Sequence, residues 1–231
     1  QMAPPSEAIL VPYYMYEDRP GHRIDRLRSY RLLEEAFTLA KMAGLNPDFV
    51  RDVERLSGYR LVLLPGGFRL KSPEWERLEA WVAGGGTLYV SYVGTVGGIY
   101  APNFERLFGC RHRLRYGQLE LPEEPTVTLR FRARLGGIEA GDELTLPRGP
   151  VGRESAYLPV EPAGAEVVAV DGRGRPALLR HRLGSGRVVL SAYPVEFMLL
   201  NTPDANLQTE AHRLYRALAQ EAGVRLRFAG A

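Results

Sequence analysis

Few residues in this chain have the type and position to do chemistry. Ser91 closes the apolar run Thr87-Leu88-Tyr89-Val90-Ser91, and Glu196 follows shortly after a second run, Val188-Val189-Leu190-Ser191. Ligands of open α/β sheets bind just outside the C-terminal ends of the strands, so both positions are candidates. A serine there is an acyl-transfer nucleophile only when a neighbouring base takes its proton. A glycosidase centre needs two carboxyl groups facing each other at about 5–9 Å. Glu17 and Asp18, which follow the run Ala8-Ile9-Leu10-Val11, are the partners that topology offers Glu196. Tyr13, Tyr14 and Tyr16 carry aromatic faces suited to sugar rings, and equally to a core or an interface. Each candidate also has a structural reading: Ser91 as the polar end of a buried strand, Glu196 as a turn cap or an arginine partner.

Other chemistries find little support. His22, His112, His181 and His212 are scattered, no pair has the i, i+4 spacing of a helical zinc site, and a single thiol, Cys110, offers no cluster. No metal site is expected, and Cys110 reads as a buried free thiol. Gly66-Gly67 and Gly97-Gly98 follow strands, yet neither a GxGxxG nor a GxxxxGK[ST] pattern is present, so no nucleotide and no cofactor is expected. Trp75 and Trp81 have helical spacing and read as core or subunit-contact residues.

The chain has 231 residues, 45% apolar, 25% charged and 10% aromatic, which is a globular composition. No apolar run approaches the roughly 18 residues of a membrane helix. One cysteine excludes an internal disulfide framework and fits a reducing, cytoplasmic setting. Net charge is only +3, and the arginines alternate with carboxylates along the chain, which argues against a nucleic-acid stripe. The densest basic stretch, Arg111-His112-Arg113-Leu114-Arg115, reads as a solvated edge. Arginine dominates the bases, with Lys41 and Lys71 the only lysines, a signature of a thermophile or of a GC-rich genome.

The elements that must position these residues follow from periodicity. Residues 1–7 read as a linker, and the chain is expected to be part of something longer. Short apolar runs at Ala8–Val11, Pro47–Val50, Tyr59–Leu64, Thr87–Ser91 and Val188–Ser191 predict strands buried on both faces. Helical stripes span Ile24–Ala43, ended by Gly44, and the segment after Ser72-Pro73, with Ser72 as its cap, ended by Gly84-Gly85-Gly86. From about Arg111 to Leu183 the period is two, with turn signals at Gly136-Gly137, Gly141-Asp142, Asp171-Gly172 and Gly184-Ser185-Gly186. Short strands are expected there, Ala156–Val160 among them. That predicts an antiparallel insertion or an extension of the main sheet. A last helix is expected after Thr202-Pro203-Asp204, with Leu207 to Ala222 on one stripe, and a terminal strand at Val224–Phe228.

Several of these segments resemble a known family. Arg28 to Gly44, Tyr59 to Pro65, Leu78 to Leu88 with Trp81-Val82 and the triple glycine, and Gly184 to Glu196 together resemble the glutamine-amidotransferase-like domain of glycoside hydrolases. The trimerisation domain of family 42 β-galactosidases is its best-known case. The resemblance implies a flavodoxin-like, doubly wound α/β fold, with one domain over residues 1–231 and a β-rich stretch at about 111–183. It also implies a nucleophilic Cys on an elbow after one strand and a His after a later one. Here Ser91 stands at the elbow position with no preceding glycine, and Tyr193-Pro194 stands where the His belongs.

The expectation is therefore a non-catalytic accessory or oligomerisation domain. Its partners would be further copies of itself or a hydrolase catalytic domain. The alternatives are a stand-alone glycosidase or esterase using Ser91 or Glu17 and Glu196, and a carbohydrate-binding module using Tyr13, Tyr14 and Tyr16. No membrane or nucleic-acid partner is expected.

Overall fold

The computed structural model describes residues 6–11, 26–66, 70–91, 101–113, 120–148, 156–200, 202 and 204–227, with the backbone alone at 26–29. Tyr13, Tyr14, Tyr16, Glu17, Asp18, His22, Gly67, Gly97 and Gly98 lie outside the described residues. The first half alternates strand and helix: β1 (Glu7–Leu10), α1 (Arg26–Met42), β2 (Asp48–Val50), β3 (Leu61–Leu64), α2 (Ser72–Ala83) and β4 (Thr87–Ser91). A short helix α3 (Phe104–Phe108) and seven strands follow: β5 (Cys110–His112), β6 (Thr126–Phe131), β7 (Glu143–Pro147), β8 (Val160–Pro162), β9 (Glu166–Val170), β10 (Pro176–Leu183) and β11 (Gly186–Ser191). The described chain closes with α4 (Val195–Leu200), α5 (Ala205–Gln208) and α6 (His212–Glu221).

Nine strands form one mixed sheet in the order β2-β1-β3-β4-β11-β10-β9-β6-β7, and β5 pairs with β8 in a separate ribbon. Neighbours from β2 to β11 are parallel, and those from β11 to β7 are antiparallel. The burial pattern explains the difference. Every residue of β1, β3 and β4 is buried, as a strand covered on both faces requires. Along β6 buried Val127, Leu129 and Phe131 alternate with exposed or half-buried partners, so only one face packs on the core. The period-two stretch therefore extends the main sheet through β11, which has a parallel neighbour on one side and an antiparallel one on the other.

The two glycine motifs meet in space. The β10–β11 turn, Gly184-Ser185-Gly186, lies on the C-terminal end of α2. The Ser185 N–H donates to the Ala83 carbonyl at 2.9 Å, and the Arg187 N–H donates to the Gly86 carbonyl at 3.1 Å. A Cβ on Gly186 would overlap the Val82 and Gly86 carbonyl oxygens, so the approach requires glycine.

Several sequence expectations change. The linker is shorter, because Glu7 already belongs to β1; its buried carboxylate accepts from the Ser6 and Asn46 N–H groups at 3.0 and 2.9 Å. Lys71, not Ser72, caps α2, its N–H donating to the Glu74 carboxylate at 2.7 Å. The helical spacing puts Tyr30 and Met42 on the same apolar stripe of α1 as Leu33 and Ala40, yet Leu33 and Ala40 are buried while Tyr30 and Met42 are exposed. The expected last helix is broken into α5 and α6 by extended backbone at Thr209, which leaves Leu207 85% exposed. No strand forms within 224–227; Arg227 instead gives one N–H to the Gly44 carbonyl. The strand expected at Ala156–Val160 reduces to a bridge between Tyr157 and Glu120, and Val160 instead opens β8.

Candidate functional site

Ser91 and Glu196 come together, and both are sealed. Ser91 ends β4 beside β11 and has no exposed surface. Its Oγ accepts the Gly66 N–H at 3.1 Å, which ties the turn after β3 to the end of β4. Glu196 sits in the first turn of α4, a helix that starts directly after Pro194, and it too is fully buried. One carboxyl oxygen accepts the Tyr215 hydroxyl at 2.8 Å; the other has no hydrogen-bond partner. The Tyr89 hydroxyl is likewise enclosed without a partner, and its ring meets Tyr215 edge-on at 5.8 Å.

Electrostatics follow from the burial. Loss of water raises the Glu196 carboxyl above its ordinary value, and the hydrogen bond from Tyr215 opposes that rise. The same burial, with Glu196 nearby, raises both tyrosines. Glu35 on α1 is a further member that sequence reasoning missed. It accepts the Asn206 side-chain N–H at 2.6 Å, and burial and the Glu196 charge both raise it. Glu35 lies in an ordinary helical stripe, and only the packing of α1 on α4 reveals the pairing. A fully buried carboxyl whose one hydrogen-bond donor is the Tyr215 hydroxyl is packed into the interior, not set in a cleft that admits substrate.

Tyr193, at the position where the sequence resemblance implied a histidine, is held in a polar network. Its hydroxyl donates to Asp171 at 2.8 Å and accepts from Arg175 at 2.9 Å. Arg175 also donates to Asp171 at 2.8 Å and stacks 4.1 Å over the Tyr157 ring. Burial alone would raise Asp171, but the Arg175 N–H, Tyr193 and the guanidinium hold it below the usual range. Every acceptor of Asp171 is engaged, because the Arg173 and Arg175 N–H groups each donate at 2.9 Å. The cleft above this network, about 450 Å³, is lined by Pro122, Glu123, Thr126, Thr128, Arg173 and Tyr193 among others.

Remaining candidates resolve simply. Among the described residues no group of His, Cys, Asp and Glu could hold a metal ion, and no histidine bonds to Ser91. Burial and Glu105 push the Cys110 thiol up to about 12, which disfavours the thiolate that a nucleophile needs. Trp75 is in the core, and Trp81 donates its indole N–H to the Leu56 carbonyl at 2.9 Å. In the basic stretch Arg111 pairs with Glu105 and Arg113 with Glu161, while Leu114 and Arg115 lie outside the described residues. No described helix is long and apolar enough to cross a membrane.

No protein-family model matches the chain, and no curated protein matches it. Solved structures do. The exo-β-1,4-mannosidase Op5Man5 from Opitutaceae bacterium strain TAV5 matches over 93% of this chain and 36% of its own, with a TM-score of 0.68 and 24% identity. A β-galactosidase from Bacillus circulans sp. alkalophilus matches over 96% of this chain and 32% of its own, with a TM-score of 0.64 and 19% identity. The mmIFT52 N-terminal domain matches over 95% of this chain and 98% of its own, with a TM-score of 0.57 and 17% identity. This chain thus spans about a third of each glycosidase and nearly all of the third structure. At such identities the likeness establishes an α/β fold.

Proposed function

We propose that this chain is a non-catalytic, amidotransferase-like accessory domain of a glycoside hydrolase. It associates subunits or buttresses a catalytic barrel, and the reactive carboxylates lie on that barrel. The observation that carries this reading is the closure of Ser91 and Glu196. A nucleophile with no exposed surface cannot meet a substrate, and the carboxyl beside it is equally sealed, with burial disfavouring the charged form that a base needs. Tyr193 adds support, because the position that would carry an imidazole is committed to Asp171 and Arg175. The strand order β2-β1-β3-β4-β11 supports a flavodoxin-like frame. The mannosidase and β-galactosidase likenesses, each confined to about a third of the larger chain, support a domain within such an enzyme.

The test is an assay of the isolated chain on nitrophenyl glycosides and esters, paired with light scattering. The expected result is no turnover, together with a defined oligomer or a complex with a hydrolase barrel. Turnover that disappears in Ser91→Ala or Glu196→Gln would replace this reading with a stand-alone hydrolase. A strict monomer with no affinity for a catalytic barrel would remove the associative role.

A further inference from the structure

The strands β9, β10 and β11 present a second constellation that the proposed function leaves unused. Glu166 and Arg180 face each other across β9 and β10, and Arg182 and Arg187 face each other across β10 and β11. Side chains two apart on a strand share a face, so Glu166, Arg180, Arg182 and Arg187 line one surface. Arg180 has a carboxylate opposite it whereas Arg182 faces Arg187, and beside them lies a cavity of about 420 Å³. Gly164, Glu166, Arg180, Arg182, Ser185, Gly186 and Arg187 line it.

Charges around this cavity do not balance. All three guanidinium nitrogens of Arg180 are engaged, Nε and Nη2 donating to Glu166 at 3.0 and 2.7 Å and Nη1 donating to Glu221 at 3.1 Å. Arg187 donates one nitrogen to Glu221 at 2.6 Å and keeps further donors. The Arg182 residue is exposed, and its side chain makes no hydrogen bond or ion pair among the described residues. Three guanidiniums therefore meet two carboxylates, and the unbalanced pair is a like-charge contact between directly opposed strand residues, which destabilises a sheet unless an anion intervenes. Arginine forks match the oxygen spacing of phosphate-class anions, and the Ser185 hydroxyl beside them supplies a further donor.

We propose that this cavity is an oxyanion site for a phosphate group, free or carried on a small metabolite, with Arg182 and Arg187 as its ligands. The site stands apart from the buried Ser91 and Glu196 cluster and does not depend on the role proposed for that cluster.

Thermal melts at constant ionic strength, with inorganic phosphate exchanged for chloride, test it. Phosphate should raise Tm. Arg182→Ala, an exposed and unpaired position, should melt at or above the parent without phosphate, since the like-charge contact is gone, and should lose the phosphate response. Calorimetric titration should show binding weakened about tenfold or more in Arg182→Ala, the loss of one charge-assisted contact. Glu166→Gln, which removes a competing carboxylate, should bind phosphate more tightly. Glucose 6-phosphate in a parallel titration separates the sources: tighter binding than phosphate supports a phosphorylated metabolite, and equal binding supports the free ion. Equal melts in phosphate and chloride, or an undiminished phosphate response in Arg182→Ala, would overturn the assignment.

Discussion

At the scale of single residues, Glu196 is the most consequential side chain in the buried cluster, and its proton is the point to test. Its folded-state affinity for that proton exceeds that of the unfolded chain, where an ordinary carboxyl titrates near 4.5. Stability from this group is therefore fully present below that value and is lost as pH rises through the higher folded value. Glu35 is raised as well and acts in the same direction. Glu196→Gln keeps the shape and cannot ionise. Its urea-unfolding free energy should fall less steeply than the parent's above pH 5, so the variant is the more stable of the two at pH 8. Parallel pH profiles would show that Glu196 is ionised in the fold. Tyr215→Phe, by contrast, strips the cluster of its donor and should cost about 1–3 kcal/mol, the penalty of leaving a buried acceptor unpaired. Ser91 and Glu196 could be picked out in the sequence because each follows a strand-like run. Their meeting with Tyr89, Tyr215 and Glu35 could not, because four separate elements bring them together and no local spacing records that packing.

Among the elements, what was legible followed from burial and what was not followed from long-range competition. The runs at β1, β3, β4 and β11 could be read because a strand covered on both faces tolerates almost nothing but apolar side chains. The break between α5 and α6 could not be read, since the stripe from Leu207 to Ala222 is continuous and only the extended Thr209 backbone interrupts it. The missing terminal strand is similar: Val224 gives its N–H back to Ala219 at the end of α6, so pairing at the sheet edge loses. The glycine motifs are a third case, visible as turn signals but with their reason hidden until α2 and the β10–β11 turn are side by side. Gly186→Ala should cost at least about 3 kcal/mol, the top of the range for overpacking, because both obstacles are carbonyls of the backbone. Gly172→Ala, at a turn where an added Cβ meets nothing, should change stability by no more than about 0.5 kcal/mol. Equal effects on urea midpoints at the two glycines would refute the close approach.

For the whole molecule, the question is whether a parallel half and an antiparallel half behave as one body. Two features join them. The first is β11, hydrogen-bonded to β4 on one edge and to β10 on the other. The second is Glu221 at the end of α6, which accepts from the Gly136 N–H, from Arg180 and from Arg187 at 3.0, 3.1 and 2.6 Å. These donors outweigh its burial and hold the Glu221 carboxyl below its ordinary range, so this clamp is present at neutral pH and weakens as pH falls through the folded value. Both tryptophans, Trp75 and Trp81, lie on α2 against the parallel half, while far-UV circular dichroism reports every strand and helix. One continuous sheet predicts that the two signals trace a single urea transition with the same midpoint. Glu221→Ala should move that midpoint down by about 1–3 kcal/mol in free energy, the cost of stranding its donors, and should move both signals together. A fluorescence midpoint above the circular-dichroism midpoint would mean that the antiparallel strands melt first. The β-rich stretch would then be a separable appendage on an α/β core, despite the hydrogen bonds that cross β11.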